Sequence, residues 1–372
     1  MAITEKYTSS AGAGAHDGSS EANAFSWAEM ITDINATGKA GNRYNVIRGG
    51  GVIARTTTTD TISSGGSATS PVIIRGYTTT ITDGYQGRTN SNGPLITTTF
   101  CQITYTTGTL NVTGTFILFE CLEITGARNG NSVLLSADDY FSRCRVANAA
   151  AGASGACISL NAARATAFDC DFALSNGGNA GTAAILIGSV CRVIGGRVTS
   201  TAAGISIAAS SGFVVAFPTI YSATGNSIAL TNTGAYGTII NPTIVSGGAD
   251  GINVITASTV SNFFLNPMIT DCTGDGIDMV STGNAAIVAY RRTRSNANGL
   301  ANAGDWITAT DYGAVTTTGA ASTDYTNAGG NDYSLVSSSP ATSAGIPYAA
   351  SIGALQRLQT GGGAATPTSY TF

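Results

Sequence analysis

The acidic side chains are where this sequence could do chemistry. Asp138 adjoins Asp139 in "SADDYF", Asp169 stands two positions before Asp171 in "FDCDF", Asp250 precedes a glycine, and Asp275 lies three before Asp278. Carboxylates converging on one face, one protonated and one ionised, would form the acid–base pair that splits a glycosidic bond. Proton abstraction would instead need a basic group beside a carboxylate-held cation, or an arginine clamp. Bases are sparse: His16 is the single histidine, and Lys6 and Lys39 are the only lysines. Asp250 and Asp275 both precede glycine, which is ordinary turn chemistry. Asp169 and Asp171 are expected to pair with arginines on the strands above and below. Asp138 and Asp139, the best remaining pair, would point to opposite faces of a strand. No group of three acids emerges, so no catalytic residue is assigned. No metal site or cofactor is assigned either. The seven cysteines contain no CxxC pair and read as buried free thiols.

The elements that must position these residues repeat. "GADGINV" at 248–254 returns as "GDGIDMV" at 274–280, after earlier echoes in "GACISL", "AGISIA" and "GNSIAL". The central Val133, Ile158, Ile185, Ile205, Ile228, Ile252 and Ile277 are 25, 27, 20, 23, 24 and 25 residues apart. A separate set of apolar segments starts at 122, 144, 170, 196, 218, 242 and 267, with intervals of 22, 26, 26, 22, 24 and 25. A period of about 24, with Gly, Asn and Asp turns and no helical periodicity, excludes leucine-rich and ankyrin repeats. It also falls well short of the ~40–45 residues of a propeller blade. The fold class is therefore all-β: a single-stranded, right-handed parallel β-helix with one coil per repeat and a short N-terminal capping helix. Equivalent residues should stack about 4.8 Å apart. Gly251 and Gly276 are read as corner residues that need backbone freedom.

This register assigns columns. Ile124, Val146, Phe172, Val198, Ile220, Ile244 and Ile269 should point inward. The residue before each should point outward, so Glu123, Arg145, Asp171 and Arg197 form an exposed ladder of alternating charge, worth ~1 kcal/mol or less per pair. A second outward column, Leu134, Ser159, Leu186, Ser206, Ala229, Asn253 and Asp278, is largely uncharged. Its first five residues form a candidate subunit-packing face. Tyr140, Tyr221 and Tyr236 are the aromatics that could stack on a sugar.

Only 10% of the 372 residues are charged and the net charge is −4 without a basic stripe, which argues against a nucleic-acid partner. No apolar run is long enough to span a membrane. "MAITEKYTSS" lacks the features of a secretory signal, so synthesis in a cytoplasm is expected. "NAT" at Asn35 and "NVT" at Asn111 are read as chance matches to the glycosylation pattern. Three regions follow. An arm and capping helix fill 1–44, with Ser19, Ser20 or Asn23 as helix cap and Phe25, Trp27, Ala28 and Ile31 as its apolar side. The β-helix fills 45–300. A closing segment and tail fill 301–372, with Gly361–Gly363 as linker.

Taken together, "AGAGAHDGSSEANAFSW", "GNRYNVIRGG", "SPVIIRGY", the Gly-Ile turns and "DYSLVSSSPATSAG…SIGALQ" resemble the pectin-lyase-like right-handed β-helix proteins. The resemblance is greatest to the compact versions found in bacteriophage virions, and it covers nearly the whole chain. It implies a fold more firmly than an activity, because such relatives include polysaccharide lyases and hydrolases, trimeric tailspikes and non-catalytic virion proteins. The expectation drawn from it is a non-catalytic virion protein, a capsid decoration or compact tail appendage, that forms a homotrimer and contacts other capsid or tail proteins. The alternatives are a tailspike-type lyase or hydrolase, or a β-helix that binds a host surface glycan.

Overall fold

In the computed structural model, residues 3–279 are described apart from 37–38, 49–50, 56–57, 81–82, 90–92, 127–129, 150–154, 176–182, 209–211, 223, 233, 246, 255–261 and 266. Beyond them, residues 294–296, 315–316, 325–327 and 332–337 are described. The expected linker and most of the tail lie outside the described residues.

Runs in which alternate residues are apolar form short strands, and the chain visits three sheets in rotation. These sheets hold eleven, eleven and nine strands. Their neighbours pair in parallel, as when Ile158–Leu160 joins Ala183–Ile187 and Asp171–Leu174 joins Arg197–Ser200. Crossovers between parallel strands are right-handed, and the chain is a right-handed β-helix. The two sequence landmarks become inner columns. Val133 through Ile277 stand opposite one another along the third sheet. Ile124 through Ile269 do the same along the second. The first sheet adds Ile74, Phe119, Phe141, Ala167, Val193, Val215 and Ile239. Phe119 and Phe141 stack with ring centroids 4.7 Å apart. All of these side chains are buried. Burial of apolar area at about 25 cal/mol per Å² is what holds the coils together. The seven cysteines are free and buried, filling gaps between the ladders.

The corner from first to second sheet has a recurring form. Cys121, Arg143, Asp169, Phe217 and Asn241 all have φ between 48° and 59°, and Gly195 takes the same place at 66°. This left-handed backbone costs a non-glycine residue about 1–2 kcal/mol. Hydrogen bonding keeps it in place. The Arg143, Asp169, Phe217 and Asn241 N–H groups donate to Phe168, Ile194, Ile240 and Leu265 carbonyls, each at 2.9 Å or less. Gly251 differs from the expectation, because its φ is not positive. A Cβ there would lie 2.5 Å from the Gly276 carbonyl oxygen, so glycine is required by the closeness of the next coil.

At the N-terminal end, Phe25–Ser26 is the edge strand of the first sheet, and Thr4–Ser9 lies between it and Asn42–Ile47. The helix Trp27–Asn35 follows. Its cap is Ser26 rather than Ser19, Ser20 or Asn23. The Ser26 hydroxyl accepts the Glu29 N–H, and the Glu29 carboxylate accepts the Ser26 N–H, a capping box. Ser20 instead precedes a 3-10 turn at Glu21–Asn23. Trp27, Met30, Ile31 and Ile34 form the buried side, and Ala28 is exposed. The Trp27 indole N–H donates to Asp60 Oδ2 at 2.8 Å, tying the helix to the first strand of the third sheet. Asn35 uses its amide on Thr61 and Ser63 of the same region.

One coil is irregular. Phe119 pairs with Phe141, 22 positions on, but Ile74 pairs with Phe119, 45 positions on. The surplus chain lies between the strands Val72–Tyr77 and Cys101–Tyr105, at the corner that later coils make with one or two residues.

Candidate functional site

The surplus chain forms the most elaborate polar arrangement among the described residues. Asp83 folds its start, accepting the N–H groups of Thr78, Thr79 and Thr80. These bonds hold the Asp83 carboxyl down at about 2 against the opposing effect of burial. The loop then lies across the second sheet. Arg88 reaches Asp169 Oδ1 at 2.9 Å and Asp171 Oδ1 at 2.6 Å. The Leu95 N–H donates to Asp171 Oδ2 at 2.6 Å, and the Tyr85 hydroxyl donates to Asp169 at 3.2 Å. The Arg143 guanidinium stacks on the Tyr85 ring, 4.2 Å from its centroid. Burial pushes the Asp171 carboxyl up, while Arg88, the Leu95 N–H and the charge of Arg197 draw it back. Burial also works against the Arg88 charge, but the two carboxylates outweigh it and hold the guanidinium protonated.

The expected ladder is therefore corrected in its contacts and its exposure. Glu123, Arg145, Asp171 and Arg197 do stand opposite one another on successive strands. Arg145 bonds Glu123 at 2.8 Å, and Gln102 donates to the other carboxylate oxygen. The cation bridged to Asp171, however, is Arg88, from outside the ladder. Glu123 and Asp171 are 4% and 6% exposed, so the surface-pair energy does not apply to them. Sequence reasoning missed Arg88, Tyr85 and Leu95. The available signal was the gap between "SPVIIRGY" and "CQITY", where the period fails.

The other acids are separate. Asp138 and Asp139 lie in the turn before the strand Tyr140–Ser142, not within it. Asp138 takes two hydrogen bonds from Arg164. Asp139 is fully buried and accepts the Ile117 and Ser136 N–H groups; burial raises its carboxyl to about 7. Asp250 Oδ1 accepts the Asp275 N–H, and the Asn253 amide donates to both Asp250 and Asp278. Among the described residues, no three His, Cys, Asp or Glu side chains gather as a metal site. No described helix is long and apolar enough to cross a membrane.

The outer faces also differ from one another. Leu134, Ser159, Leu186, Ser206 and Ala229 form one continuous column on the third sheet. Ser159 and Ala229 are buried and the other three half-buried. Asn111 precedes them in that column. Tyr221 points outward from the second sheet beside Thr199 and Val245, whereas Tyr140 and Tyr236 lie on the outer face of the first. The three tyrosines thus do not form one platform.

This stack of coils is the fold of the pectin-lyase-like right-handed β-helices. It is similar to the crystal structure of pectate lyase Pel9A, with a TM-score of 0.61 and 13% identity, over 96% of this chain and 97% of that one. A GH136 lacto-N-biosidase from Eubacterium ramulus aligns over 83% of this chain and 68% of its own at 12% identity, with a TM-score of 0.35. No family model matches the sequence, and no curated protein matches it.

Proposed function

We propose that this chain is a non-catalytic structural β-helix of a bacteriophage particle, displayed on the surface as a capsid decoration or compact tail appendage. The observation that carries this reading is the condition of the carboxylates. Asp60 is held by Arg55, Trp27 and Tyr105, Asp138 by Arg164, Asp169 and Asp171 by Arg88, and Glu123 by Arg145 and Gln102. Asp139, whose raised pKa would suit a general acid, is closed off from solvent and bound to backbone N–H groups. Acids used this way fasten coils and corners. A solenoid with saturated backbone edges along its length and fastened corners suits an exposed particle surface, where it would contact further copies of itself and the capsid or tail proteins.

The likeness to a pectate lyase favours a second reading, a polysaccharide lyase or hydrolase. Incubating the purified chain with a panel of acidic and neutral polysaccharides, and following new reducing ends and unsaturated sugar ends, separates the two. No release is expected. Release that is lost in Asp171→Asn or Asp138→Asn would overturn the structural reading.

A further inference from the structure

The corner where the surplus loop leaves the first sheet carries two cations that nothing neutralises. Arg75, on the strand Val72–Tyr77, stands opposite Glu120, and Glu120 stands opposite Ser142 on the following rung. Arg143 comes next, at the positive-φ corner position. The neighbouring arginines are all bonded, Arg88 to Asp169 and Asp171, Arg145 to Glu123, and Arg164 to Asp138. Arg75 and Arg143 differ. Neither guanidinium makes a hydrogen bond or an ion pair among the described residues, and the Nε of each is closed off from water without an acceptor. Glu120, between them in register, pairs with neither. Asn45, the other register neighbour of Arg75, spends its amide on Glu5 and the Lys6 carbonyl.

The two side chains share one neighbourhood. Their backbones are two rungs apart, about 10 Å, a gap that two arginine side chains can close from opposite ends. Burial raises the Cys121 thiol, and the charges of Arg75 and Arg143 both draw it back, which puts both beside that residue. The loop forms the wall. The Tyr85 ring covers Arg143, and Gly84 is so close that a Cβ there would lie 3.1 Å from the Cys121 Cβ. Both arginines are nonetheless only half-buried, so the place is open on its outer side.

We infer that Arg75 and Arg143 form a site for a tetrahedral oxyanion, phosphate or sulfate, at the root of this loop. A guanidinium presents its donors as a planar fork that matches such an anion two bonds at a time. Two forks and one carboxylate leave a single net positive charge, which an ion carrying about two negative charges outweighs. A monocarboxylate is a poorer ligand, because Glu120 already offers one there and neither guanidinium takes it. The bound ion would join the strand that precedes the loop to the corner that the loop covers. The inference concerns this corner alone and does not depend on which particle carries the chain.

The test is equilibrium dialysis of the full chain against radiolabelled inorganic phosphate, with circular dichroism to follow the fold. The wild type should bind one ion per chain, displaced by sulfate and not by chloride at the same ionic strength. Arg75→Gln and Arg143→Gln should each weaken binding by about tenfold or more. If Arg143→Gln disturbs the loop through Tyr85, Arg143→Lys keeps the charge without the fork and should still weaken binding. Glu120→Gln removes the opposing charge and should tighten it. Melting temperatures add a second readout. Phosphate and sulfate strengthen burial in any protein, so the expected signal is a rise in the wild type larger than in Arg75→Gln. Competition by glucose 6-phosphate would assign the site to a phosphate carried on a larger molecule, and its failure to compete to the free ion. No bound phosphate at millimolar concentration, equal binding by the arginine variants, or loss of binding in Glu120→Gln would each overturn the inference.

Discussion

Asp139 sits in the turn before a first-sheet strand, fully buried, and its carboxyl is lifted to about 7 by that burial. The unfolded chain releases the same proton near ~3.9. Between those values the native state holds a proton that the unfolded state has lost. Stability must therefore fall as pH rises from about 4 to about 7, by roughly 1.4 kcal/mol per unit from this group, and level off above. Asparagine keeps the shape and cannot ionise, so Asp139→Asn should flatten that part of the profile. Urea midpoints for both proteins across this range would show it, and parallel slopes would refute it. Glu29 has the opposite sign. Its carboxyl is held at about 2, chiefly by the Ser26 N–H, so its contribution is present above about 4.5 and lost toward pH 2. The two carboxyls differ in burial, and burial was not legible residue by residue. "SADDYF" gives no indication which of its two acids faces the interior, and sequence reasoning placed both on a strand when they occupy a turn. The role of Arg88 was still less accessible, because its partners lie 81 and 83 positions away and share no period with it.

The coil is the natural element, and it was the most legible one. Both apolar landmarks meet their partners rung by rung, because a register slip of one residue would turn each Ile outward. A whole coil should accordingly be removable. Arg197 stands opposite Thr219, 22 positions on, so deleting 197–218 joins Gly196 to Thr219 in register. The shortened chain should fold cooperatively with a modestly lower melting temperature, as nearest-neighbour solenoids do. Deleting one residue fewer should collapse the second-sheet pairing, and circular dichroism melts of the two chains would compare them directly. The corners were less legible. Cys121, Arg143 and Phe217 hold positive φ without being Gly, Asn or Asp, so composition carries no mark of them. The helix cap was readable in principle. "SWAE" is the Ser-x-x-Glu pattern of a capping box, hidden among competing serines at 19 and 20.

At the scale of the whole molecule, the seven buried cysteines are spread unevenly along the stack, from Cys101 to Cys272. Burial pushes their thiols up, to about 11 at Cys121 and about 12 at Cys170 and Cys272, so a thiol reagent should not modify the native protein. Partial denaturation should open the stack from its ends, because an inner coil has two neighbours and an end coil has one. Cys272 should therefore be labelled at lower urea than Cys144 or Cys170, which peptide mass mapping would resolve. Simultaneous labelling of all seven would mean that the stack opens as a single unit. Fold and repeat period were open to the sequence because they rest on local spacing. The first sheet's outward columns were not, since no landmark of their own aligned them.

The loop anchored by Arg88 gives this stack a mechanical asymmetry. It leaves beside the strand Cys101–Tyr105 and is fastened at Asp171, three rungs further along the second sheet, a reach of about 14 Å. Everywhere else in the regular coils, tension applied to the two ends would be borne one rung at a time, and coils would peel off singly. Between these two anchor points the load is shared by a parallel tether, so the coils there must yield together once the buried ion pairs tear. A chain pulled from its C-terminal end should therefore unravel in small, even steps until it reaches Asp171, and then resist.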